Sequence, residues 1–387
     1  MSQQPRPDRT VAAYVRTAPP APVAPPMAAF GPLRWIKDHL LSSVFNSALT
    51  VLFIALLVWI VPPLVKFLVI DAVWSGADRE ACLATPARPE VGACWAFVRE
   101  WFSFFIYGPY PADQRWRVDV FFGLLAFGIG WLLWLDAPRR DLGALFFFAI
   151  LPLVSVALLR GFPPLGLSVV DTASWGGLLV TLVVAAVGIV VSLPIGVLLA
   201  LGRRSKMPAV KLISVLFIEF VRGVPLITVL FMASVMLPLF VPPAWSPDKL
   251  MRALVGIALF SSAYMAEVVR AGLQSIPKGQ REAAQALGLG YWMSLRFIIL
   301  PQALKVTIPN IVNNAIALFK DTTLVFIVGI FDFLRTIEIA RGDPRWATPV
   351  TSVTGYAFAA LVYFVVCHSM SRYARGIEHR LGASDRR

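Results

Sequence analysis

Residues 282–301 read EAAQALGLGYWMSLRFIILP, opening on Glu282 and closing on Pro301. This is a polar, Ala- and Gly-punctuated segment set between two long apolar runs. Ala283, Ala284 and Ala286 are small and favour helix. Pro277 suits a first helical turn, where its missing N–H would be unpaired anyway. Glu282, in an early turn, sits well near the positive end of the helix dipole. Gly288 and Gly290 let the chain turn sharply, and Pro301 marks re-entry into the next apolar run. The expectation is a short helix with a smooth face that docks into a groove on another protein. The plainer alternative is an ordinary amphipathic loop.

The runs on either side set the class. Of 387 residues 58% are hydrophobic and only 15% are charged, with a mean hydropathy of +0.73. A soluble domain has no use for so much apolar surface. Several stretches approach or exceed the ~20 apolar residues that cross a bilayer core. The runs are continuous, which argues against the alternating segments of a membrane β-barrel. The sequence therefore predicts an all-α polytopic membrane protein with about eight transmembrane helices, over 43–70, 118–135, 142–159, 175–201, 213–241, 251–272, 303–330 and 350–371. The net charge of +13 invites a nucleic-acid reading. The basic residues fall between spans rather than along one stripe, so they read as topology anchors, and no nucleic-acid partner is expected.

Those anchors give an orientation. Arg203, Arg204, Lys206 and Lys211 follow the fourth span, Arg139 and Arg140 join the second to the third, and Lys278, Arg281, Arg296 and Lys305 surround the quoted stretch. Residues 161–174 carry no Lys or Arg. The positive-inside rule puts the quoted loop and both termini in the cytoplasm, and an even number of spans agrees. Residues 1–42, rich in Pro and Ala, read as a disordered cytoplasmic tail without a secretory signal, with a short helix within 33–39. Residues 43–160 form an accessory region of three spans with a long outer loop over 71–117. Residues 171–376 form a five-span core whose cytoplasmic loop is 273–301, and 377–387 form a cytoplasmic tail.

Cys82 and Cys94 both fall in the outer loop. In an oxidising compartment they are a possible disulfide, with two free thiols as the alternative. The aromatic run over 95–110 reads as an interfacial helix against the outer leaflet. The sequence has no P-loop, no G-x-S-x-G and no H-E-x-x-H, and its three histidines lack metal-site spacing with the cysteines. No catalytic, cofactor-binding or metal-ligating residue is expected, and the chain does not read as an enzyme.

Charges within spans are costly and usually face a cavity, a partner or a helix end. Glu219, Arg222, Glu267, Lys320 and Asp321 stand out. Glu219 and Arg222, at i and i+3, can pair on one helix face. Arg222-Gly223-Val224-Pro225 breaks that helix, and broken helices beside charges recur in substrate paths. Lys320 and Asp321, with Asn313, Asn314, Thr322 and Thr323, make the seventh span polar in its outward half. The candidate pathway residues are thus Glu219, Arg222, Asn314, Lys320, Asp321 and Thr322. A snorkelling Lys320 is the alternative.

The spaced pattern E-A-A, three residues, Gly, nine residues, I-x-L-P resembles the docking loop of membrane subunits of ABC importers. The run YMAEVVRAGLQSIPKGQREAAQAL at 264–287 is similar to permeases of polar-amino-acid ABC importers, as are FVRGVPLI at 220–227 and NNAIALFKDTTLVFIVG at 313–329. The likeness covers about half the chain, roughly 175–375. The added N-terminal spans resemble the M-type permease of the general L-amino-acid transport system. That resemblance implies a type I importer fold in the bacterial inner membrane and a second permease subunit, either an identical copy or a related Q-type chain. It implies a periplasmic amino-acid-binding protein and a pair of cytoplasmic ABC ATPases. ATP would be used by those ATPases, with no cofactor on this chain. Glu282, Ala283, Ala284, Gly288 and Pro301 would carry ATPase coupling. An ion-coupled secondary transporter would use the same intramembrane carboxylates but not the docking loop. A non-transporting assembly subunit is the other rival.

Overall fold

The computed structural model describes residues 32–86, 88–134, 137–242 and 245–384. The expected disordered tail lies, over 1–31, outside the described residues. Two compact units result, 1–66 and 67–387. In the first, α1 (Pro32–His39) is a short helix and α2 (Val44–Val65) is apolar on all sides. Ser43 caps α2 by accepting from the Asn46 N–H, and the Thr50 hydroxyl donates to the Leu40 carbonyl at 2.8 Å. A π turn over Lys66–Ile70 follows α2, and the apolar run Val44–Ile70 is long enough to span.

The second unit is mostly helical, with a two-residue strand at Phe331–Asp332 and a largely non-helical outer loop. In chain order it holds α3 (Trp95–Tyr107), α4 (Arg115–Leu133), α5 (Arg140–Leu145), α6 (Leu151–Arg160) and α7 (Gly177–Arg203). Then come α8 (Pro208–Gly223), α9 (Leu226–Phe231), α10 (Leu237–Phe240), α11 (Lys249–Ser275) and α12 (Lys278–Ala286). Last are α13 (Tyr291–Ser294), α14 (Leu300–Asp321), α15 (Phe333–Ala340) and α16 (Pro349–Ser384). Among the described residues seven runs are long and apolar enough to cross a membrane. The pair Pro208–Gly223 and Leu226–Phe240, bent by 105°, makes an eighth when counted as one broken span. Gly223 ends α8, Val224 is extended, and Pro225 caps α9, so the R-G-V-P signal becomes a break and not a mild kink.

Lipid offers no hydrophobic drive for helix to meet helix, so close packing of small residues does that work. Helices α7, α11 and α14 pack through such contacts. Met265 of α11 lies on Gly196 of α7, where a Cβ would come within 2.7 Å of the methionine Cβ. Leu318 of α14 lies on Gly188, two turns farther from Arg203. Helices α4 and α6 share a buried cluster with α7 and α11, including Phe121, Leu125, Leu151, Leu159, Val183 and Ile257. The accessory spans after residue 67 are therefore packed into the core unit. Arg117 anchors this region, donating to the Ser168 carbonyl and hydroxyl at 2.8 and 3.2 Å.

Three elements gain detail beyond the sequence reading. One side of α3 enters the core, where Phe97 and Phe105 are wholly buried with Phe333 and Trp346. Its aromatic residues lie on both sides of the helix, and Phe102 stays exposed. The tail over 377–387 is helical through Ser384 as the end of α16. The loop over 273–301 holds the expected short helix and is mostly helical, with only 287–290 non-helical after α12.

The outer loop is built rather than slack. Cys82 and Cys94 are joined by a disulfide with Cα atoms 5.7 Å apart, and both are buried. Within it the Val73 N–H donates to the Ala93 carbonyl at 2.8 Å. The Arg79 N–H donating to the Arg345 carbonyl and the Cys94 N–H donating to Thr354 Oγ1, at 2.8 Å each, fasten it to α16 and to the segment just before it.

Candidate functional site

Helix α12 and its exit form the first part of the site. Ala284 is buried, whereas Glu282, Ala283, Ala286 and Leu287 face outward. Pro277 occupies the N-cap rather than the first turn. The helix ends in a Schellman motif: the Gly288 N–H donates to the Gln285 carbonyl at 2.9 Å and the Leu289 N–H to the Ala284 carbonyl at 3.0 Å. Gly288 has φ +74°, which favours glycine. Gly290 is different: at φ −64° and ψ 166° it is the extended N-cap of α13, a conformation open to any residue. The result is a rigid short helix with a small-residue face and an exposed Leu287 at its tip. Gln280 and Gln302 bond across to α14 at 3.2 Å, which links α12 to the span that follows it. Pro301 lies exposed early in α14, and the preceding π turn Leu295–Ile299 shifts the backbone ladder where the proline N–H is missing.

Beside it, at the same end of the bundle, five charged side chains converge from α7, α8 and α11. Glu267 is the hub, with 17% side-chain exposure. Its Oε1 lies 3.0 Å from Arg203 Nη1, and its Oε2 lies 2.8 Å from Arg270 Nη2 and 3.7 Å from Arg222 Nη1. Arg203 Nη1 also reaches Glu219 Oε1 at 2.8 Å. The i,i+3 pair expected between Glu219 and Arg222 is therefore not what forms. Glu219 turns to α7, and Arg222 to α11 and to the Tyr264 ring, 5.6 Å from its centroid. Three arginines against two glutamates leave the cluster one positive charge. A lone buried charge here costs several kcal/mol, so each member holds the others in place. Arg203 had read only as a topology anchor, and no sequence signal ties it to α11. Arg270 was missed as well, although its place three residues after Glu267 is the spacing of a helix-face partner.

Lys320, Asp321 and Thr322 lie elsewhere. They close α14 beyond Leu318, which packs at Gly188, whereas the Glu267 cluster lies beyond Gly196, near Arg203. Lys320 is exposed, Asn314 and Asp321 are half-buried, and Thr322 is buried with its hydroxyl donating to the Phe319 carbonyl at 2.8 Å. The two charge groups thus sit at different depths and do not form one binding site. Asp332, just past that span, caps α15 by accepting from the Leu334 and Arg335 N–H groups. Burial pushes its carboxyl up to about 7, against the opposing pull of those N–H groups.

Comparison with known proteins places this geometry. The family described as binding-protein-dependent transport system inner membrane component matches residues 192–383, which include the Glu267 cluster and α12. The inner membrane amino-acid ABC transporter permease protein YhdY of Escherichia coli (strain K12) is 50% identical over 346 residues, 89% of this chain and 92% of that protein. The chain belongs to this family. It is an amino-acid ABC transporter permease of the inner membrane, the non-catalytic membrane component. A second relative is the glutamate/glutamine/aspartate/asparagine transport system permease protein BztC of Rhodobacter capsulatus. It is 40% identical, with 95% of this chain and 98% of that protein covered. A solved amino acid ABC transporter crystallised with histidines aligns over 53% of this permease and 92% of its own chain, at 30% identity and a TM-score of 0.47.

Proposed function

We propose that this permease supplies half of the translocation path of an ATP-driven, binding-protein-dependent importer of L-amino acids, with α12 docked on a separate cytoplasmic ABC ATPase. The carrying observation is the Schellman-capped α12, whose exposed Gly279, Ala283 and Ala286, spaced four and three residues apart, make a small-residue stripe that leads to the exposed Leu287. Such a helix can enter a groove and transmit a rigid-body shift in either direction. Glu282, Ala283, Ala284, Gly288 and Pro301 form or position that contact. A related Q-type permease supplies the other half of the path, and a periplasmic binding protein delivers the amino acid. In this reading the α12 end faces the cytoplasm, with both termini, and the Lys and Arg of the loops support that orientation.

The Glu267 cluster lies where α7, α8 and α11 converge beside α12. We read it as the cross-brace through which α12 motion reaches the path. Arg222, with 36% side-chain exposure, is the member best able to meet an α-carboxylate. Lys320, Asp321, Asn314 and Thr322 belong to the more distant half of the path. The test is cross-linking. A single cysteine at Ala283 is expected to trap the ATPase in the assembled complex, and one at Asp321 is not. Equal trapping at both positions, or none at Ala283, refutes the docking assignment.

A further inference from the structure

A cavity of about 680 Å³ opens between the turn joining α7 to α8 and the segment running from α12 through α13. Its lining is of two kinds. Leu198, Met207 and Trp292 are apolar and well exposed, at 67%, 59% and 72%. Arg204, Lys206 and Arg281 bring three cations to the same cavity, and no acidic side chain lines it. Among the described residues none of the three has an ion-pair partner. Burial first, and then the neighbouring Arg281, act against the charged form of Arg204 and lower its pKa, with Tyr291 opposing them, so two cations lie close here with no carboxylate between them. Ser294 lines the cavity as well; it is 5% exposed and its hydroxyl has no hydrogen-bond partner. A buried hydroxyl left unpaired is uncommon and points to a missing polar neighbour.

We infer that this cavity holds an anionic phospholipid of the cytoplasmic leaflet, with its phosphate between Arg204, Lys206 and Arg281 and an acyl chain along Leu198 and Met207. The inference rests on the proposed orientation, which puts the C-terminal end of α7 on the cytoplasmic side. A free phosphate would satisfy the cations but leaves the exposed apolar wall wet. A zwitterionic lipid would fit the wall but brings its own cation. Basic pockets beside spans on the cytoplasmic side are suited to anionic headgroups, and Tyr291 and Trp292 sit as interfacial aromatics do. Because Arg281 belongs to α12 and Arg204 follows α7, the lipid bridges the docking helix to the bundle. Coupling then responds to the charge of the membrane.

The test is native mass spectrometry of the complete transporter in mixed micelles of phosphatidylglycerol and phosphatidylcholine. This readout depends neither on orientation nor on transport, so its failure is separable from failure of the proposed function. Wild type is expected to retain phosphatidylglycerol over phosphatidylcholine by at least about thirtyfold, at roughly a few-fold for each of three basic residues. Arg204→Gln with Lys206→Gln is expected to cut that preference about tenfold or more, to the few-fold owed to Arg281, with the assembly intact. Ser294→Ala is expected to weaken retention severalfold without lowering the melting temperature. Equal retention by wild type and the double variant overturns the inference. Displacement of the lipid by an equal concentration of glycerol phosphate overturns the lipid in favour of a soluble anion.

Discussion

Replacing Gly288 by alanine isolates the shape of the docking helix from its chemistry. At φ +74° an L-residue is strained by about 1–2 kcal/mol. A Cβ at this position meets nothing within 4 Å, so no steric cost is added in the permease itself. The chain can keep the turn and bear the strain, or relax and lose two surface backbone bonds of about 1 kcal/mol each. Either route is bounded near 1–2 kcal/mol, too little to prevent insertion. The effect on docking follows from the balance of the two routes, because only the native turn presents Leu287 and Ala283 correctly. With the strained turn raised by about 1–2 kcal/mol and the released end lying about 2 kcal/mol up, the released end takes up to about half of the population, and apparent affinity falls by up to about twofold. Titration of purified ATPase onto the permease in nanodiscs, read by interferometry, measures it. Gly288→Ala is expected to raise Kd by up to about twofold, and Gly288→Asn by less, since Asn tolerates this conformation. Gly290→Ala is expected to leave it unchanged, because Gly290 is extended. Equal Kd values for Gly288→Ala and Gly290→Ala refute the reasoning.

Three further outcomes follow from the same geometry. Glu267→Gln leaves three arginines with Glu219 alone and is expected to cost about 2–3 kcal/mol, less than a fully buried pair. Glu219→Gln, at 55% exposure, is expected to cost under about 1 kcal/mol; thermal melting of the purified permease ranks the two. Cys94→Ser opens a loop closed over a separation of 12 residues and is expected to cost about 3 kcal/mol, seen as a lower melting temperature that reductant reproduces in wild type. Asp332 binds more protons folded than unfolded between about pH 4 and 7, so its contribution is full below that range and lost as pH rises through about 7. Wild type is therefore expected to lose more melting temperature from pH 5 to pH 8 than Asp332→Asn, which keeps the cap; parallel curves refute it.

The spans and the short helix α12 were legible because both rest on local pattern: continuous apolar runs, and an E-A-A stretch closed by Gly288. The break at Gly223–Pro225 was legible for the same reason, although its 105° bend depends on what packs against α9. The partners of Glu219 and Arg222 were not. Their i,i+3 spacing suggests a local pair, and only the convergence of α7, α8 and α11 brings Arg203 and Glu267 within reach. Burial of α3 was hidden because an aromatic run reads alike at a membrane interface and in a core. Phe97 and Phe105 are decided by α15 and α16, more than two hundred residues later. The lipid-facing cations were likewise visible as topology anchors, while their shared cavity was not.

The central claim is that an external ATPase drives this permease through α12. Uptake of a labelled L-amino acid by proteoliposomes containing the full complex tests it most directly. The account expects uptake only with binding protein outside and ATP inside, and its loss when Glu282→Arg reverses the charge on the docking face. Uptake that persists without ATP under an imposed proton or sodium gradient, and is indifferent to Glu282→Arg, would contradict it.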